Sequence, residues 1–188
     1  MHSKFIEKEI KYTGSELAPH WIYKNFHLQG DAIVAFIGEC DVKITEMVDI
    51  EDVIENSPIY SQKMLNFIIE HFNIGLIEGV VRQRLLMNII REQILKYLPK
   101  ESEIIRNGDD LFYNGKKLTV SIAGKSINSV LIHTGINIIS ENAAIEASGL
   151  TSDMGLKNIY DLGKDIVDAY ALECDNMLLA STKVRGIL

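Results

Sequence analysis

Arginine is scarce in this 188-residue sequence, and its placement is the first chemical signal. Of five arginines, Arg82, Arg84 and Arg91 fall within ten residues. Arg84, Asn88 and Arg91 recur at i, i+4 and i+7, which sets them on one narrow helical stripe. Ile77, Val81 and Leu85 form one arc of the same helix, and Leu86 and Ile90 the other. A guanidinium in such surroundings is costly without a partner, so the stripe must meet acids, backbone carbonyls or an anionic ligand. The second signal is a run of carboxylates: Glu39, Asp41, Glu46, Asp49, Glu51, Asp52 and Glu55 stand against Lys43 alone. Such a segment is a solvated loop leading into a helix, or a surface for a cation or basic partner; it lacks the oxygen-ligand spacing of a calcium loop. Cys40 and Cys174 lie far apart without CxxC or zinc spacing, so no structural metal is expected. Glu39 and Asp41 flank Cys40 and should raise its thiol pKa. His20-Trp21 is a stacking pair for a ligand or a packing anchor.

The composition bounds the class. Hydrophobic residues make up 47% and charged residues 24%, with three prolines, which suits a single packed domain over 1–188. The net charge of −7 argues against a nucleic-acid partner. No apolar run reaches the roughly 18–20 residues of a membrane span. The start, MHSKFIEKEIKYTG, lacks a signal-peptide core, and a cytoplasmic location is expected.

The elements that must position these groups follow from periodicity. KFIEKEIKY alternates as a strand, 15–30 is irregular or a short helical turn, and 31–38 is an apolar run of central-strand type. Residues 61–98 have helical period, broken near Asn73-Ile74-Gly75 and ended by Pro99; the second part, 76–98, reads as buried. Asn114-Gly115 signals a two-residue hairpin. Leu118, Val120 and Ile122 then face one way, with Lys117, Thr119 and Ser121 opposite, and 126–139 is another strand-rich run. A helix over about 160–182 closes the chain. Strands segregated from helices predict an α+β fold, helices packed on a mixed or antiparallel sheet.

Residues 106–138, RNGDDLFYNGKKLTVSIA followed by SVLIHTGINI, resemble the core of biotin and lipoate protein ligases. In those families an Asn-Asp pair opens a hairpin, a lysine begins its second strand, and a Gly-containing strand end follows. The whole chain, especially ELAPHWIYKNFHLQGDAIVAFIGECDV and VVRQRLL, looks like an uncharacterised prokaryotic family, domain of unknown function 366. That family is thought to share the biotin/lipoate ligase fold, itself akin to the class II aminoacyl-tRNA synthetase core.

The resemblance implies a protein that binds a nucleotide or acyl-adenylate and activates or transfers a small carboxylate. Lys117 stands at the catalytic lysine, where a fixed ammonium stabilises charge developing on phosphorus. Asp110 would hold Mg²⁺ on the phosphates of ATP. Gly135 would let substrate approach the backbone, and His133, Asn137 and Arg84 would face the same cavity. Without the resemblance, Lys117 is an exposed hairpin lysine, Asp110 a turn former or the partner of Arg84, and His133 a hydrogen-bonded core histidine. The chain departs from the ligase pattern in three places: no arginine in GSELAPHWIYKNFHLQG, Val120 for a small residue, and Asp109 for the first member of the Asn-Asp pair. Two alternatives therefore stand beside the ligase reading: a non-catalytic ligand-sensing or assembly module, and a thiol acyltransferase acting through Cys40. Expected partners are small molecules, without nucleic acid or membrane, and a homo-oligomer is open.

Overall fold

Three apolar runs of the sequence meet side by side in the computed structural model, which describes residues 1–141 and 146–186. In chain order the elements are β1 (His2–Ile6), α1 (Trp21–Phe26), β2 (Ala32–Val42), α2 (Ile50–Glu55), β3 (Ile59–Phe72) and α3 (Leu76–Lys96). They continue with β4 (Ile105–Asn107), β5 (Asp110–Tyr113), β6 (Lys116–Lys117), β7 (Thr119–Lys125), β8 (Ser129–Asn137) and α4 (Ile159–Thr182). The main sheet has the order β1-β2-β3-β8-β7, and β4-β5-β6 form a small second sheet. β1 runs parallel to β2; the other neighbours are antiparallel. The fold is therefore α+β with a mixed sheet, as the patterning predicts. Among the described residues no helix is long and apolar enough to cross a membrane.

Both faces of the sheet are covered. Ile33, Ala35, Leu65, Phe67 and Ile69 pack beneath α3 and α4 with Leu86, Ile90, Leu162 and Ile166. On the other face Val34, Phe36, Met64 and Ile68 meet Tyr12 and Ile22, with Leu17 and Trp21 packed against them. Trp21 is thus a packing residue, edge-on to Phe26. Each fully buried aliphatic or aromatic side chain here contributes about 1.5–3 kcal/mol, so this two-sided core dominates the fold's stability.

That two-sided burial corrects the largest sequence expectation. Residues 61–72 are not helical but belong to β3, bounded by Pro58 and by Asn73 at φ 60°. A strand that buries apolar groups on both faces loses its period of two, and MLNFII then matches a helical template equally well. A second correction concerns α3. Leu86 and Ile90 are buried, but Ile77 is 80% and Val81 61% exposed, so this helix is not buried on all sides.

Two further differences arise where backbones crowd or bend. The first strand stops at Ile6, yet the chain runs on along β2: the Ile10 amide donates to the Ile37 carbonyl and the Tyr12 amide to the Glu39 carbonyl. Gly38 permits this crossing, since a Cβ there would collide with the Ile10 carbonyl. The alternation drawn through 117–123 also fails at Leu118. Leu118 donates its amide to the Leu111 carbonyl and joins the helix-side core, whereas Val120 packs on the opposite face. The break between β6 and β7 resets which side chains look where. The Asn114-Gly115 turn forms as predicted, with φ of 51° and 77°, the signature of a type I′ hairpin.

Candidate functional site

The sheet face opposite α3 and α4 opens, at the β7 end, into a cavity of about 340 Å³. Its floor comes from the strands: Met64 of β3, His133 and Asn137 of β8, Thr119 and Val120 of β7, with Tyr12 beside them. The small β4-β5-β6 sheet and its turns supply Asp109, Asp110 and Lys117 as a wall. Residues 46–60 form the remaining side, and through them Glu46, Asp49, Glu51, Asp52 and Glu55 line the cavity. The start of the segment packs closely, Glu46 against Gly14 and Val48 against Gly124.

The hairpin places two cations on consecutive carboxylates. Lys117 Nζ lies 3.0 Å from Asp110 Oδ2, and Arg84 Nη1 lies 2.7 Å from Asp109 Oδ1. Arg84 packs against the Gly108 turn behind this wall and does not itself line the cavity. Its contact with Asp109 is ionic without hydrogen-bond alignment, and its Nη1 is buried. Asp109 is further fixed by Gln83, whose amide donates to Asp109 Oδ2 at 3.2 Å and to Ser121 at 3.0 Å. The rest of the arginine stripe is satisfied by backbone: Asn88 donates to the Arg84 carbonyl and Arg91 to the Ile104 carbonyl. Of the three partners open to the stripe, acids and carbonyls take it. Arg84 therefore pairs with Asp109, not Asp110, and Asp110 belongs to Lys117.

Electrostatics at the wall are acid-rich. Burial raises the Asp110 carboxyl above its ordinary value, opposed by the hydrogen bond from Lys117. Asp52 is likewise raised by burial and then by Asp49, with Lys117 pulling the other way. In both, burial outweighs the pull of Lys117 and disfavours the ionised form. Among the described residues no group of three or more His, Cys, Asp or Glu is arranged to hold a metal by itself.

The remaining candidates divide. His133 is fully buried, stacks on Tyr12 with ring centroids 3.7 Å apart, and donates from Nε2 to Asn66 Oδ1 at 3.0 Å. Burial pushes its pKa down to about 3, so it is neutral and has the character of a hydrogen-bonded core histidine forming floor. Asn137 lines the cavity and is 6% exposed. Gly135 does not line it: the Met64 sulfur fills the space where a Cβ would stand, so substrate has no access to that backbone. Cys40 is entirely buried, and burial, then Asp41, Glu16 and Glu39, push its thiol up to about 12. A thiol so placed is a core group, and the geometry gives the acyltransferase reading nothing to act with.

Sequence reasoning missed Tyr12, Met64 and the acids of 46–55 as cavity residues. The acids carried a signal, the charge imbalance, but its direction was hidden. α2 turns Glu51, Asp52 and Glu55 toward the cavity while Ile50 and Ile54 are 73% and 78% exposed. No residue of α2 is buried, so the helix presents no apolar face to the core.

Comparison with known proteins agrees with this architecture. A protein-family model described as "Domain of unknown function (DUF366)" matches residues 1–185. An uncharacterised protein of Methanocaldococcus jannaschii is 38% identical over 179 residues, covering 92% of this chain and 79% of that protein. Among solved structures, a protein of unknown function from Pyrococcus horikoshi superposes with a TM-score of 0.89 at 33% identity, over 100% of this chain and 99% of that one. A point mutant of the biotin protein ligase of Aquifex aeolicus, in complex with biotin, superposes with a TM-score of 0.60 at 12% identity, over 93% of this chain and 70% of that one. The same ligase is solved in complex with biotin and ATP.

Proposed function

Because this chain belongs to the DUF366 family and carries the biotin/lipoate ligase fold, we propose that its 340 Å³ cavity binds a nucleotide or acyl-adenylate and serves to activate or transfer a small carboxylate. The observation that carries this reading is Lys117. It lies in the two-residue strand β6 that follows a tight turn, its ammonium is held by Asp110, and both line one cavity with Asn137. An ammonium fixed by the backbone and a carboxylate stabilises charge where it develops without reorganising. The cavity's volume lies within the roughly 300–1,000 Å³ usual for small-molecule sites.

Charge sets a condition on the ligand. Seven acidic residues line the cavity, Glu46, Asp49, Glu51, Asp52, Glu55, Asp109 and Asp110, against Lys117 as the one basic residue of the lining. A bare polyphosphate is repelled by such a lining. Asp110 and Asp52 both line the cavity and offer oxygen ligands of the kind a hard divalent cation takes, and they would hold the Mg²⁺ that accompanies ATP. Held there, the ion would supply charge neutralisation at the phosphates. Lys117 orients the phosphoryl group, Asn137 offers a carboxamide to a polar ligand atom, and the Tyr12–His133 stack gives a flat neutral surface. The reading places the protein in the cytoplasm, where ATP is supplied.

A second reading keeps the binding and drops the chemistry. Val120 fills part of the floor, and residues 14–30 contribute no arginine to enclose an adenylate. A ligand-sensing module would show binding alone. A thermal-shift panel with ATP, biotin, lipoate and octanoate, each with and without Mg²⁺, separates these cases. We expect a rise in Tm with ATP that disappears on chelation, since a ligand at 100 times its Kd stabilises by about 2.7 kcal/mol. Pyrophosphate release with the carboxylate present marks an enzyme, and its absence marks a sensor. No shift with any member of the panel overturns both.

A further inference from the structure

A second cavity, of about 500 Å³, opens on the same sheet face at the opposite end of β3. Phe72 and the ring of His20 form one wall, stacked with centroids 5.6 Å apart and 25° between planes. Tyr23 stands exposed at the rim, and Glu70 lies at the base. Glu70 is only 2% exposed, and its carboxylate accepts from the His20 amide at 3.0 and 3.1 Å and from the Ser129 hydroxyl at 2.6 Å. It forms no ion pair among the described residues.

A carboxylate removed from water is expensive unless a cation partners it. Two donors occupy fewer than the roughly four acceptor positions a carboxylate offers, and Oε2 receives only the shared amide. The carboxylate therefore retains capacity toward the cavity whose base it forms. Aromatic faces supply the complementary half of a cation site, because their quadrupoles attract a positive charge held over the ring. We infer that this cavity binds an organic ammonium ion, with its charged head between the His20–Phe72 stack and Tyr23 and with Glu70 as counter-ion. Lys24, also on the rim, opposes such a ligand and sets a ceiling on its affinity. The site is separate from the Lys117 cavity and does not depend on the reading given for it.

The test uses choline chloride and its uncharged carbon analogue, 3,3-dimethylbutan-1-ol, titrated calorimetrically into the full chain at constant ionic strength. Saturable binding of choline is expected, with the uncharged analogue weaker by about tenfold or more. Glu70→Gln should weaken choline by about tenfold while leaving the analogue unchanged. Should that buried substitution compromise folding, Tyr23→Ala, at an exposed position, should still weaken choline severalfold with Tm preserved. Lys24→Met should tighten it. Equal affinity for the two probes, choline affinity unchanged in the Tyr23 variant, or no saturable heat with choline each overturns the proposal.

Discussion

Replacing Lys117 by alanine is expected to abolish nucleotide binding or turnover while Tm falls by only a few degrees. The Lys117–Asp110 pair is about a quarter to a third exposed on each side, at 30% and 26%, and lies 3.0 Å apart. Pairs of that exposure contribute about 0–1 kcal/mol to stability. Loss of the ammonium leaves Asp110 partly buried, and its carboxyl, already raised by burial, rises further without the hydrogen bond from Lys117. For a chain of this length 1 kcal/mol corresponds to about 2–4 °C in Tm. Calorimetric titration with Mg-ATP, alongside scanning calorimetry, separates the two effects. A collapse in Tm would make Lys117 structural, and undiminished nucleotide affinity would remove it from the site.

The second large effect concerns acid. His133 has a folded pKa of about 3 against roughly 6.5 in an unfolded chain, and burial is the cause. The folded state refuses a proton that the unfolded state accepts. Above pH 6.5 neither state is protonated and the group leaves stability unchanged. As pH falls from about 6.5 toward 3, stability drops by about 1.4 kcal/mol per unit, approaching about 4–5 kcal/mol in all. His133→Gln retains a donor for Asn66 Oδ1 and has no such titration. Urea midpoints measured at pH 7, 5.5 and 4 should fall more steeply for the wild-type chain than for the variant. Parallel slopes would show that His133 takes up its proton in the folded state, and the neutral floor of the cavity would go with it.

Much of this architecture was legible because local chemistry and global packing agree. The apolar run at 31–38 had to be a central strand, Pro99 had to end α3, and Asn114-Gly115 had to turn a hairpin whose φ values are positive. The demand of Arg84 for a partner was also legible, since a half-buried guanidinium leaves few options. What failed, failed for stated physical reasons. β3 buries Met64 and Ile68 on one face and Leu65, Phe67 and Ile69 on the other, so no periodicity marks it as a strand. Which aspartate serves which cation depends on the pitch of the 108–110 turn, and neighbouring carboxylates are indistinguishable in one dimension. The acids of 46–55 read as solvated, and Glu46, Glu51 and Glu55 are indeed exposed; what no local pattern showed is that their segment lies along the rim of the cavity. Tyr12 meets His133 across 121 residues of sequence, a stack that no local pattern encodes.

The DUF366 family thus shares a scaffold with ligases that bind biotin and ATP, and at 12–14% identity that likeness establishes architecture alone. The site has to speak for itself. Crystals soaked with ATP and Mg²⁺ put the question most directly. The expected result is nucleotide density between β7 and the 46–60 segment, with a phosphate oxygen within hydrogen-bond reach of Lys117 Nζ and a cation on Asp110. An unliganded cavity at saturating nucleotide, or density lodged elsewhere on the surface, would contradict the assignment.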